Sequence, residues 1–278
     1  MPGEEAKRNR VCTTLQSEVK SDRRKLTVNI KGKEIGKGRP LVCVPIIEQT
    51  REAVLIEAEQ LADQPADMIE WRMDWYENSN SPEELCRVTE KLADILKNKI
   101  LLCTFRSKAQ GGEKEISRED YIEMIQKLAQ HGKADILDVE VCELEQPQNL
   151  IEKIQNMGAV VVASDHNFAE TPSVEIMTEK LLYMKKLGAD IAKLAVMPNN
   201  RQDVLKLLEA TTNVKENDSE YPVITMSMGN TGMISRIAGQ SFGSCVTFAS
   251  AGKTSAPGQM PLEDMAMILN KISESMEE

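Results

Sequence analysis

Eight short apolar runs, each followed by a longer amphipathic segment, constrain this chain more than any other feature. The runs are LVCVPI (41–46), MIEWRMDW (68–75), ILLCTFR (100–106), DILDVEV (135–141), AVVVASDHNF (159–168), DIAKLAVM (190–197), PVITMSMG (222–229) and CVTFAS (245–250). Several are apolar on both faces, as strands buried in a parallel sheet are, and the spacing leaves room for one crossover helix after each. The intervening segments, 50–62, 82–96, 118–130, 146–155, 173–187, 200–210, a short 233–239 and 262–276, carry helix signals. Ser81 stands as an N-cap before Pro82, and Gly132 and Gly188 stand at C-caps. Eight βα units without a break in composition predict an α/β protein, a (β/α)8 TIM barrel, with a doubly wound open sheet as runner-up. Residues 26–38, LTVNIKGKEIGKG, alternate around a Lys-Gly turn and predict a β-hairpin closing the N-terminal end of the barrel. The chain thus divides into an N-terminal tail, 1–20, and a single barrel domain, 21–278.

A formal net charge of −10, with no basic block beyond the first residues, argues against nucleic acid and anionic membrane as partners, since both are bound through clustered Lys and Arg. A small molecule is the expected ligand. The six cysteines form no CxxC pair, and with two histidines no zinc-ligand spacing can be assembled. Neither a metal nor a cofactor is expected, and Cys43, Cys103 and Cys245, set inside apolar runs, read as reduced, buried residues of a cytoplasmic protein. The first residues hold no apolar h-region, and no run approaches the roughly 18 residues of a membrane span.

Within the sixth run, GADIAKLAVMP, Lys193 stands among apolar residues on both sides, where an ammonium must find a partner or give up its proton. Strand alternation sorts its neighbours. In MIEWRMDW the outward set is Ile69, Trp71, Met73 and Trp75, so Glu70, Arg72 and Asp74 face inward. The same parity places Arg106, Asp138, Glu140, Ser164, His166 and Lys193 on the inner face. Most sit toward the C-terminal ends of their strands, where barrels of this kind build active sites. Inward charges can equally be structural ion pairs, and Asp74, Asp138 and Glu140 read as scaffolding. A lone strand lysine is usually a salt-bridged surface residue, a reading that its apolar neighbours and a histidine at the same end weaken. His131, at a helix C-terminus, needs no function beyond the dipole. His166 at a strand end is placed for proton transfer near neutral pH.

A desolvated lysine among other cations loses its proton readily and can attack a ketone or aldehyde to form an imine. The protonated imine is an electron sink, from whose adjacent carbon a base such as His166 can remove a proton. Arg72, Arg106 and Arg236 add donors suited to a carboxylate or hydroxyls. Residue types alone thus lead to an imine-forming lyase or aldolase acting on an anionic oxo-compound. An aldolase would want a phosphate site, for which GNTGMISR (229–236) could be mistaken. A non-catalytic metabolite-binding barrel and a metal-dependent lyase are more distant alternatives.

The set EWRMDW, TFRS, DVE, SDHNF, AKLAVMP, SMGNTGMISRIAG, FGS and SAPGQMP resembles the type I 3-dehydroquinate dehydratases of the shikimate pathway, a resemblance that spans nearly every barrel strand from Leu41 to Pro261, in order. The resemblance implies a Schiff base on Lys193, proton removal by His166, and loss of water to give 3-dehydroshikimate for aromatic amino acid biosynthesis. It implies that Arg236 clamps the substrate carboxylate, that Glu70, Arg72 and Arg106 hold hydroxyls, and that Ser255 and Gln259 belong to a closing loop over the site. It also implies a homodimer. One position departs from the family pattern: many members have a glutamate four residues after the third-strand arginine, and here that position is Gln110.

Overall fold

The computed structural model describes residues 28–252 and 255–276; the expected tail, with Cys12, and the first two residues of the hairpin lie outside them. β1 (Val28–Ile30) and β2 (Lys33–Ile35) pair antiparallel, with Val28 opposite Ile35. Lys31 and Gly32 turn between them at φ 51° and 79°, both positive as a two-residue turn of this twist demands.

Eight parallel strands follow: β3 (Leu41–Ile46), β4 (Met68–Arg72), β5 (Ile100–Thr104), β6 (Ile136–Glu140), β7 (Val160–Asn167), β8 (Ile191–Val196), β9 (Val223–Ser227) and β10 (Val246–Ser250). β3 to β9 pair in chain order and β10 pairs with β3, while the bridge of Val223 with Ser244 joins β9 to the segment leading into β10 and completes the ring. Between them run α1 (Arg51–Ala62), α2 (Pro82–Leu96), α3 (Arg118–His131), α4 (Pro147–Asn156), α5 (Val174–Lys186), α6 (Arg201–Asn217), α7 (Gly229–Ile237) and the single turn α8 (Gly239–Phe242). β11 (Met260–Pro261) adds a short parallel pairing beyond β10, and α9 (Leu262–Met276) completes the outer ring. The barrel is the (β/α)8 architecture, not the open sheet.

Alternation separates two cores. Val42, Val44, Trp71, Leu101, Cys103, Leu137 and Leu194 pack outward against the helices, while Cys43, Met68, Ile100, Leu102, Ile136 and Ile191 fill the barrel interior. Val28 and Ile35 of the hairpin join the interior set, so the hairpin closes the bottom. Lys31 Nζ ties it there, 2.6 Å from Asp135 and 2.9 Å from the Lys99 carbonyl.

The strand starts carry a fourfold repeat. Asp67, one residue before β4, accepts the Val42 N–H of β3 at 3.0 Å. Asp135, before β6, accepts Leu101 N–H of β5 at 2.8 Å, and Asp190, before β8, accepts Val161 N–H of β7 at 2.9 Å. Ser244 takes the fourth position, its Oγ accepting Thr225 N–H of β9 at 3.0 Å. At that last seam the described backbone pairing of β9 with the strand-10 segment is a single bridge, Val223 with Ser244.

Three local expectations need correction. The second strand ends at Arg72 rather than residue 75, so Asp74 lies in the turn beyond it, not on the strand's inner face. The helix expected over 200–210 continues to Asn217; its apolar stripe extends through Val214, and the helix-weak Thr211 is accommodated by bonding Leu207 O and Thr225 Oγ1, each at 2.8 Å. Gly188 adopts φ 86° after its helix, as a C-terminal glycine should, but Gly132 is extended at φ −78°. Gly132 is instead required by space: a Cβ there would lie 2.6 Å from Leu128 O.

Candidate active site

Midway along β8, Lys193 is 3% exposed. Its Nζ lies 3.3 Å from Asp138 Oδ2 and 3.5 Å from Glu70 Oε1, and 4.7 Å from the centre of the Phe248 ring. The direct partners of this lysine are therefore carboxylates and an aromatic face, not the cations expected from sequence. Strand parity delivers them: residue 70 of β4, residue 138 of β6 and residue 248 of β10 all point inward.

Arg106, just beyond β5, organises the floor. Its Nη1 donates to Glu140 Oε1 at 2.7 Å and Ser164 Oγ at 3.0 Å, and its Nη2 to Asp138 Oδ2 at 2.9 Å. Ser164 in turn donates to Asp138 Oδ1 at 2.6 Å. Burial would push the Asp138 carboxyl up, but Arg106, Lys193 and the Ser164 hydroxyl outweigh it and hold the group below its ordinary value. Burial prevails at Glu140, which is raised despite Arg106. The Arg106 guanidinium, surrounded by Asp138, Glu140 and Glu70, overcomes its own desolvation and stays firmly charged.

His166, near the end of β7, is half-buried, and its neighbours are cations. Desolvation, then Arg106, Lys193 and Arg72, pull its pKa well below 6.5, so the imidazole is neutral at pH 7. Gln110 determines which nitrogen carries the proton. Its Oε1 accepts the His166 backbone N–H at 3.0 Å and lies 3.2 Å from Nδ1. The backbone donor orients the amide, so Nδ1 must be the protonated nitrogen, leaving the Nε2 lone pair available. Gln110 Nε2 has no hydrogen-bond partner among the described residues.

Arg236, on α7, is 1% exposed. Its described contacts are Met226 Sδ at 3.6 Å and the Pro257 carbonyl at 3.3 Å, and its Nε is unpartnered. Burial lowers its pKa to about 10. A buried guanidinium with no carboxylate among the described residues is a ready anion site. Nearby, Gln259 Nε2 donates to Ser255 Oγ at 3.0 Å while its Oε1 accepts Ser255 N–H at 3.1 Å, bracing residues 255–259 over the mouth. Gly258 seats that segment, because a Cβ there would overlap the Gly229 carbonyl. The Gly229 N–H is taken by Pro257 O at 3.1 Å, so the start of α7 does not offer the open phosphate cradle that its glycines suggest.

One pocket at the C-terminal mouth brings together all eight residues singled out from sequence: Lys193, His166, Glu70, Arg72, Arg106, Arg236, Ser255 and Gln259. Sequence reading missed others. Thr104 donates to Glu70 Oε1 at 2.9 Å, and the parity of Leu102 and Arg106 could have found it. Asp138, read as scaffolding, touches the lysine directly. Phe248 lines the pocket from the inward parity of β10, which sequence reading did not use, and Phe168 lines it from beyond the end of β7. No group of three His, Cys, Asp or Glu among the described residues is arranged to hold a metal, and no described helix is long and apolar enough to cross a membrane.

A closed (β/α)8 barrel whose strand ends converge on a buried, mixed-charge pocket is the architecture of a barrel enzyme. The type I 3-dehydroquinase family model matches residues 42–276, and the chain belongs to that family. A 3-dehydroquinate dehydratase of Bacillus licheniformis is 40% identical over 247 residues, 88% of this chain and 97% of that protein. The solved type I enzyme of Clostridium difficile, described with covalently modified comenic acid, superposes with a TM-score of 0.86 at 39% identity, covering 90% of this chain and 98% of its own. The Enterococcus faecalis enzyme gives a TM-score of 0.82 at 36% identity, over 88% and 98%.

Proposed function

We propose that this chain is a carbon–oxygen hydro-lyase that removes water from 3-dehydroquinate to give 3-dehydroshikimate, through an imine on Lys193. The observation that carries this reading is the meeting, in one pocket, of a buried lysine, a neutral histidine and a buried arginine without a carboxylate partner among the described residues. Lys193, once its proton has passed to a neighbouring base, attacks the substrate ketone, and loss of water yields the protonated imine. His166 Nε2 takes the proton from the adjacent carbon, the imine accepting the electron pair. The same histidine, now protonated, delivers that proton to the departing hydroxyl, and hydrolysis of the product imine returns free Lys193.

Arg236 suits the substrate carboxylate, because it alone of the pocket's arginines lacks an anionic partner among the described residues. Glu70, Arg72 and Arg106 would hold hydroxyls, while Ser255 and Gln259 close the pocket against water that would hydrolyse the imine early. The family resemblance extends the proposal to a homodimer, for which light scattering on the purified protein is the check, and the buried thiols of Cys43, Cys103 and Cys245 extend it to the cytoplasm.

The test is intact mass after incubation with 3-dehydroquinate and borohydride. A reduced adduct on the parent and none on Lys193→Ala is the expected result. Turnover without an adduct would overturn the covalent mechanism. Absence of both would return the aldolase and metabolite-binding readings.

A further inference from the structure

Asp74 lies outside the pocket and is fully buried, yet two functional parts of the site end on its carboxylate. Oδ1 accepts Arg72 Nε at 2.8 Å and Arg106 N–H at 3.2 Å. Oδ2 accepts Arg72 Nη2 at 2.8 Å and Glu113 N–H at 3.2 Å. Four donors thus fill four acceptor positions.

The two side-chain bonds grip Arg72 along one edge of its guanidinium, leaving Nη1, without a hydrogen-bond partner among the described residues, to reach toward a ligand. The two backbone bonds hold both feet of one loop, since the chain leaves Asp74 at Arg106 and returns at Glu113. At the base of the loop Lys108 N–H donates to Lys114 O at 3.0 Å and Gly112 N–H to Ser107 O at 2.9 Å, drawing its two sides together. At its tip stands Gln110, held against His166. The loop has no slack: a Cβ on Gly112 would overlap the Arg106 carbonyl, and one on Gly111 would overlap the Phe168 ring.

We propose that Asp74 is a positioning residue that sets two parts of the site at once, the reach of Arg72 into the pocket and the loop that carries Gln110 to His166. This rests on the reading of the site given above. Asparagine cannot replace it, because an amide nitrogen would meet two donors in either orientation.

The experiment is steady-state dehydration of 3-dehydroquinate by the parent and Asp74→Asn, with borohydride trapping of the imine during turnover. A misplacement of the order of 1 Å costs up to about 100-fold in rate, so kcat/KM is expected to fall about 10- to 100-fold. KM rises through Arg72, and kcat falls through His166. Because proton removal follows imine formation, the trapped fraction of enzyme should exceed the parent's. A folded Asp74→Asn enzyme with parent kinetics overturns the proposal. So does a lower kcat with unchanged KM and no rise in trapped enzyme, the result of merely losing folded protein. If the asparagine variant does not fold, Gly112→Ala perturbs the same loop without touching Asp74 or Arg72. It is expected to lower kcat and raise the trapped fraction, and parent kinetics would overturn the proposal. A parent that neither turns over 3-dehydroquinate nor forms an adduct would sink the reading of the site itself, a different result from either.

Discussion

Replacing Arg236 by methionine is expected to stabilise the protein while crippling its binding. The folded state disfavours this guanidinium: burial brings its pKa down to about 10, against an ordinary value above about 12. A depressed cation pKa means a penalty on the folded state at every pH below the folded value. A gap of 2–3 pH units at about 1.4 kcal/mol each is roughly 3–4 kcal/mol. Methionine removes that penalty, fills much of the same space beside Met226, and forfeits the long bond from the charged guanidinium to Pro257 O, which contributes about 1.5 kcal/mol. A net gain of about 2 kcal/mol corresponds to a rise in Tm of several degrees for a domain of this size. Differential scanning calorimetry at pH 7 reads the stability, and initial rates read the binding. Under the proposed role of Arg236 on the substrate carboxylate, its loss should raise KM at least about 100-fold. A Tm that falls would refute the reasoning, because it would mean that Arg236 is compensated within the fold rather than held in readiness for a ligand.

Gln110→Glu should keep most of the activity but move the acidic limb of the kcat profile upward by about 1–3 pH units, since a carboxylate beside Nδ1 raises the pKa of a base that must be neutral to work. The new Glu oxygen with no donor costs about 1–3 kcal/mol, less than the several kcal/mol of attraction between close unit charges in this setting, so it should ionise; superimposable profiles would refute this. His166→Ala should still give a borohydride-trapped adduct while losing nearly all turnover, and absence of an adduct would mean that the histidine also serves imine formation. Asp138→Asn should cost about 3 kcal/mol in urea unfolding, because it strips a shared partner from Arg106 and Lys193. Since the folded Asp138 pKa is depressed, that difference should be full above the ordinary carboxylate range and shrink as pH falls through the folded value.

Much of this was legible in the residues because the barrel turns a period of two into geometry. Glu70, Arg72, Ser164 and Lys193 reach the lumen by parity alone, and helices such as Pro82–Leu96 match their capping signals residue for residue. What parity cannot supply is anything that happens after a strand stops. Asp74 continues the alternation of MIEWRMDW on paper, but the strand ends two residues earlier, and its partners Arg106 and Glu113 lie far along the chain. The partners of Lys193 were hidden for a related reason. A strand pattern says which face a side chain takes, but not which of several inward charges lies nearest across the lumen, so Asp138 passed for scaffolding. Gln110 announced itself only as a departure from family pattern; its grip on the His166 backbone, which selects the tautomer, needed coordinates.

The side chains at the strand starts also say how the barrel could be taken apart. Asp67, Asp135, Asp190 and Ser244 each fasten a strand to the one before it, dividing the ring into four pairs whose fastening is local in sequence. New chain ends placed between pairs, in the connection after α2 or after α4, would leave every fastening inside an unbroken stretch. Ends placed within a pair would force one to form between distant parts of the polypeptide, with a larger loop to close. Circular permutants of the two kinds should therefore differ in how readily they refold, although the finished barrels would be the same.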